Sequence, residues 1–207
     1  MMRYLRLDRS GASAAEFALV LPLLLFFLFG IIDGARFLWE ANRAEKATQM
    51  GARTLVVTNV ISTGLANQSY LGDTSGGAAL TQGDVVSAAA LGRIECTSTA
   101  GTVGCSCATS PCPATLTPIN AAGWDLMFRR MKGVKPDLAP SNVKVSYRGS
   151  GLGYAGDPNG MDIAPLVTVE IAGLQFRPTV GLMLGTINLP PFRTTLTAED
   201  SDGSQSN

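Results

Sequence analysis

The 207-residue chain carries 16 Lys and Arg against 16 Asp and Glu, so no net field draws in nucleic acid or acidic partners. It has no histidine, which excludes Ser-His and Cys-His nucleophiles and His-ligated metals. Only 15% of residues are charged and 23 are glycine, a composition of membrane-associated or secreted proteins rather than cytosolic enzymes, and no cofactor is expected.

The chain opens with Arg3, Arg6 and Arg9, opposed only by Asp8, and from Phe17 to Ile32 carries no charge at all. As a helix, Ala12 to Ile32 spans about 31 Å, enough for a hydrocarbon core of about 30 Å. The leading arginines hold the N-terminus in the cytoplasm and send residues 33 onward across the membrane, although Arg36, Arg43 and Lys46 at the far end weaken that bias. A cleaved secretory signal would place small residues after its apolar core. Here Asp33-Gly34-Ala35-Arg36-Phe37 continues a helical pattern, and the small residues Gly11 to Ala15 come first. Glu16 heads the run. A carboxylate against hydrocarbon costs up to ~3 kcal/mol at a bilayer centre and less at its edge, so this acid points to function. Pro22 has no N–H for the carbonyl of Ala18, which predicts a kink or local loosening.

A glycine, four variable residues and a glutamate opening an apolar helix resemble the processing site of type IV prepilin-like proteins. The stretch from Gly11 to Arg36, "GASAAEFALVLPLLLFFLFGIIDGAR", more narrowly resembles the TadE-like pseudopilins of tight-adherence (Tad/Flp) pilus systems. TadG-like proteins share this opening but add a von Willebrand-type domain for which this chain is too short. The resemblance implies cleavage between Gly11 and Ala12 by a prepilin peptidase, making Glu16 the fifth residue of the mature chain. It further implies a non-enzymatic, single-pass inner-membrane subunit with a periplasmic domain, in or at the tip of a pilus that serves adhesion and secretion. Its partners would be other pilin-like and minor pilin subunits, the peptidase, the inner-membrane assembly platform and the lipid bilayer. Phe17 stands where tight-adherence pilins commonly have tyrosine.

Cleavage would free an ammonium on Ala12, four residues before Glu16 and on the same helix face. The two charges pair within one chain, near a helix N-terminus that favours the acid, or between neighbouring helices of a bundle. A buried unpaired charge is costly, so the second arrangement enforces axial register between subunits. The alternative is an unprocessed single-pass envelope protein with a structural or binding periplasmic domain, its Glu16 snorkelling to the headgroups. A tethered envelope enzyme is a third reading, for which the sequence offers no site.

Helical spacing continues through Phe37, Ala41, Ala44, Thr48, Gly51 and Leu55, a stripe expected to pack on the chain's own domain, whose small residues permit close approach of another element. Residues 59 to 80 are Gly/Ser/Asn-rich and read as a connecting loop. Thr81-Gln82-Gly83-Asp84 resembles a capping box, which predicts a short helix over Val85 to Leu91. Trp124, Met127, Phe128 and Met131 fall at i, i+3, i+4 and i+7, a core-facing helix with Asp125 and Arg129 paired outside and Gly133 as a stop. Val143 to Arg148, Leu166 to Ile171 and Phe192 to Thr197 alternate as strands covered on one face. With no helix between these consecutive strands, an antiparallel sheet is expected and the fold class is α+β, a long N-terminal helix followed by a small domain with short helices and an antiparallel sheet.

The expected organisation is a basic leader over 1–11, a transmembrane helix over 12–32 and a helical stalk over 33–58. A disulfide-stapled α+β domain follows over 59–200, then a flexible polar tail over 201–207. Cys96, Cys105, Cys107 and Cys112 lie in a Thr/Ser/Pro/Gly-rich loop without the paired C-x2-C knuckles of a zinc site, so outside the cytoplasm two disulfides are the better reading and no metal is expected. Three pairings are open, and the one joining Cys105 to Cys107 is disfavoured by its tight ring. Gly151 to Gly156 match G-x-G-x-x-G, but a turn follows instead of a helix, which removes the nucleotide reading in favour of a mobile hairpin connection. Asp157, Asn159 and Asp162 fail the EF-hand spacing. Ser141 and Lys144 match S-x-x-K, yet three residues apart in a strand they face opposite sides.

Overall fold

Alternating burial along three central strands sets the architecture. A computed structural model describes residues 10–158, 160–179 and 185–198; the leader arginines, Asn159 and the tail lie outside the described residues. The chain forms two units, residues 1–41 with 175–188, and residues 42–174 with 189–207. Helix α1 (Ser10–Val56) contributes its residues up to Ala41 to the first unit and the rest to the second.

The second unit is α+β. Its five-stranded antiparallel sheet runs in spatial order through residues 102–109, 93–99, 143–148, 166–171 and 192–197. The three predicted strands are β3 (Val143–Arg148), β4 (Leu166–Ile171) and β7 (Phe192–Thr197). Val143, Val145 and Tyr147 of β3 face inward with Val167, Val169 and Ile171 of β4, all at most 1% exposed. Each such side chain contributes roughly 1.5–3 kcal/mol on burial. The outer face carries Glu95, Lys144, Glu170 and Arg193 in a cross-strand charge ladder closed by contacts of 3.0 to 3.8 Å.

Two helices cover the inner face. On α1 the buried residues Ala44, Thr48, Gly51 and Leu55 form the predicted stripe, which packs on the chain's own domain. Gly51 is where the layers meet, since a Cβ there would lie 2.8 Å from Met131 Sδ and 3.2 Å from Val169 Cγ1. Helix α3 (Ala121–Val134) buries Trp124, Met127 and Met131 as their spacing predicts. Asn120 caps it by accepting the Gly123 N–H at 3.0 Å.

Three segments depart from the sequence-based expectation. The cysteine-rich stretch is a hairpin, β1 (Arg93–Thr99) and β2 (Thr102–Thr109), rather than a loop. Ala100 and Gly101 turn it with φ of 50° and 84°, the two left-handed residues that a tight hairpin needs. Pairing of β1 with β3 and burial of Ile94, Cys96 and Ser98 outweigh a composition that reads as loop. Residues 59–80 do more than connect. They include α2 (Thr63–Ala66) and bury Val60, Ile61, Leu65 and Tyr70, and the Ile61 N–H donates to the Tyr147 hydroxyl at 3.1 Å.

The predicted helix over Val85–Leu91 is replaced by an extended segment and a short 3-10 turn at Ala88–Ala90. The Asp84 carboxylate does accept the Thr81 N–H and hydroxyl at 2.7 Å, but no helix follows. The Val86 N–H donates instead to Gly153 O, and Val85 bridges Tyr154. This pairing anchors the glycine-rich connection that the sequence suggests is a simple hairpin link. Gly153, at φ +116°, lets the backbone pass where a Cβ would meet Asp162 O at 2.4 Å.

Candidate functional site: the N-terminal helix

The first unit holds the apolar part of α1. Its most apolar 18-residue window has a mean hydropathy of 2.5, and none of that window is buried. Phe17, Leu19 and Leu23 are 64, 79 and 73% exposed. Burying such side chains in lipid removes apolar surface that water would otherwise meet. Gly11 lies in the first turn, where an added Cβ would meet nothing within 4 Å. Glu16 is exposed at the head of the run. Helical geometry places residues 12 and 16 on one face, one above the other. Helix α1 continues through Pro22, although that residue supplies no N–H to the carbonyl of Ala18.

Immediately after the apolar run the helix meets a feature the sequence did not suggest. Strands β5 (Gln175–Phe176) and β6 (Ile187–Asn188) pair antiparallel, and Thr179, shortly after β5, meets the helix. Asp33, only 7% exposed, accepts the Thr179 N–H at 2.7 Å and an Arg36 guanidinium N–H at 3.1 Å through the same oxygen, Oδ1. Arg36 also donates to the Thr179 hydroxyl at 2.6 Å and lies 5.6 Å from the centroid of Phe176. The Phe176 ring meets Phe37 edge-on, with centroids 5.6 Å apart. The only local hint was an acid at the end of an apolar helix, and its partner lies 146 residues away.

In the second unit the four cysteines form two disulfides. Cys96 and Cys105 are directly opposite in β1 and β2, and Cys107 joins Cys112 across the turn that follows β2. Among the described residues no group of three or more acidic or thiol ligands is placed to hold a metal. Asp162 accepts the Tyr70 and Asp157 N–H groups at 2.7 and 3.2 Å, a structural role. Lys144 faces Glu95 and Glu170 on the outer side of the sheet, while Ser141 sits in a 3-10 turn before it. The glycines at 151, 153 and 156 take positive φ in turns, with no helix to present amides to a phosphate.

A helix this long and apolar, unburied along its apolar window and joined to a small disulfide-bonded α+β domain, has the properties of a single-pass membrane anchor. The family model described as TadE-like protein matches residues 11–53. The chain thus carries an N-terminal segment similar to that of TadE-like proteins. The matched residues end inside α1, so the likeness covers the helix and not the sheet. No match was found among curated proteins or among solved structures.

Proposed function

We propose that the chain is a minor pilin-like subunit that helps assemble a tight-adherence type IV pilus. In this reading residues 1–11 are a cytoplasmic leader, 12–32 the membrane helix, 33–58 a stalk and 59–200 a periplasmic domain. A prepilin peptidase cuts after Gly11 on the cytoplasmic side. The Ala12 ammonium then meets the Glu16 carboxylate of its own or a neighbouring helix and fixes axial register in the bundle. Pro22 loosens the helix so that subunits can repack on leaving the bilayer. Other pilin-like subunits and the assembly platform are the partners, and the role is structural.

One coincidence carries the reading. The TadE-like match begins at Gly11, in the first turn of the unburied apolar helix that carries its acid at position 16. Intact-mass spectrometry of the protein from its native host tests it. A mature chain that starts at Ala12 supports the subunit; one that retains the arginine-bearing leader leaves an unprocessed envelope anchor.

A further inference from the structure

An open cleft lies at one end of the sheet. Arg93 and Arg148 are directly opposite in the β1–β3 register. Side chains so placed share a face with Cβ atoms about 5 Å apart, and like charges there are destabilising. Both line this cleft of about 660 Å³, with Thr109, Ser110, Leu91 and Pro111. Compensation is incomplete. Arg93 approaches Glu95 at 3.3 Å, but that carboxylate is shared with Lys144 at 3.8 Å. Among the described residues no carboxylate pairs with Arg148. The strands of the sheet carry Arg93, Lys144, Arg148 and Arg193 against only Glu95 and Glu170, an excess of positive charge.

The walls of this cleft are rigid. Gly92 donates to Pro111 O at 2.7 Å and Gly149 to Leu91 O at 3.1 Å. A Cβ at Gly92 would meet Thr109 O at 2.0 Å, and one at Gly149 would meet Ala88 O at 2.1 Å. The glycines flanking the two arginines in sequence thus permit three backbone segments to close on one another. The Cys107–Cys112 disulfide ties down the segment that carries Thr109, Ser110 and Pro111. A like-charge pair held on a fixed frame, beside two hydroxyl residues, is arranged for an oxyanion.

We propose that this cleft binds carboxylates presented by an acidic polypeptide segment of a partner protein. Two guanidinium groups offer planar forks that match a carboxylate, and the cleft is several times larger than a free phosphate needs. Pro111, exposed at the edge of the cleft, gives the aliphatic stem of an Asp or Glu side chain an apolar wall.

The test uses the full chain in detergent micelles at 150 mM salt. It is titrated with a fluorescent six-residue Asp/Glu peptide, the matching Asn/Gln peptide and inorganic phosphate. The acidic peptide is expected to bind and the neutral one not. Arg148→Gln is expected to weaken binding at least tenfold while its melting temperature stays level or rises, because repulsion from Arg93 is relieved. Equal binding of the two peptides, or full affinity in Arg148→Gln, would overturn the proposal. So would a fall in melting temperature of Arg148→Gln, which assigns the arginine to structure. Displacement of the peptide by equimolar phosphate would reassign the cleft to small free oxyanions and overturn the peptide assignment.

Discussion

The Thr179 N–H donates to Asp33 Oδ1 at 2.7 Å, which fastens the β5–β6 excursion to the helix one residue beyond its apolar run. The same oxygen holds Arg36, whose other contacts are the Thr179 hydroxyl and the Phe176 ring. Hydrogen bonds to a charged group contribute about 1.5–3 kcal/mol each. Asp33→Ala therefore removes the acceptor at the centre of the cluster. Amide exchange at Thr179 is expected to accelerate by about tenfold or more, while amides of β3 and β4 keep their protection. Unchanged exchange at Thr179 would show that the aromatic contact alone holds the segment.

Gly51 tests whether the small-residue stripe of α1 serves its own domain. Met131 is fully buried, so its sulfur cannot swing into solvent to make room for a larger neighbour. Gly51→Val is expected to destabilise by about 1–3 kcal/mol through overpacking against Met131 and Val169, although valine is a better helix former than glycine. Chemical denaturation measures this. A neutral result would mean that α1 and the sheet are separated more than their contacts imply.

Two buried tyrosines make opposite predictions when their hydroxyls are removed. The Tyr147 hydroxyl accepts the buried Ile61 N–H, so Tyr147→Phe leaves that donor unpaired and costs about 1–3 kcal/mol. The Tyr70 hydroxyl has no partner among the described residues, so Tyr70→Phe is expected to be neutral or stabilising. Burial, with Asp73 and Asp162 nearby, pushes the Tyr70 phenol up to about 12. Burial pushes Tyr147 up as well, against the opposing effect of the Ile61 N–H. Both folded-state values exceed the ordinary 10, so their contribution is fully present below pH 10 and is lost as pH rises above it. The loss is about 1.4 kcal/mol per pH unit for each group, until its folded-state value is reached. Denaturation between pH 9 and 12 reads this slope, and Tyr70→Phe is expected to flatten it.

The parts of the fold legible in sequence are those whose signal is local. Strands β3, β4 and β7 alternate because one face meets the core, and Trp124, Met127 and Met131 mark α3 by helical spacing alone. The β1–β2 hairpin was hidden because Thr, Ser, Gly and Cys are loop formers by composition, and β3, which makes β1 a strand, lies about fifty residues downstream. The capping box at Thr81 formed its hydrogen bond, yet Gly153 competed for the backbone that a helix would have used. At the N-terminus, the roles proposed for Gly11 and Glu16 rest on sequence spacing alone. The Asp33–Thr179 contact and the Arg93–Arg148 pair were not, since each exists only once remote strands are in register.

Glu16 separates an assembling subunit from an inert anchor. The carboxylate is exposed on a helix that otherwise presents only uncharged residues as far as Ile32, so it contributes nothing visible to the stability of the chain itself. Its proposed value lies in pairing with an ammonium, and breaking a buried pair by removing one member costs about 3–5 kcal/mol. Glu16→Ala is therefore expected to insert in the membrane, be trimmed to Ala12 and fold its outer domain, yet lower surface piliation at least tenfold. Glu16→Gln is expected to fail alike, because it keeps the shape and loses the charge, whereas Glu16→Asp retains partial assembly. Pilus counts by electron microscopy, alongside intact mass of each variant, distinguish lost register from lost processing. Normal piliation by Glu16→Gln would remove the charge pair from the mechanism, since shape alone would then set the register.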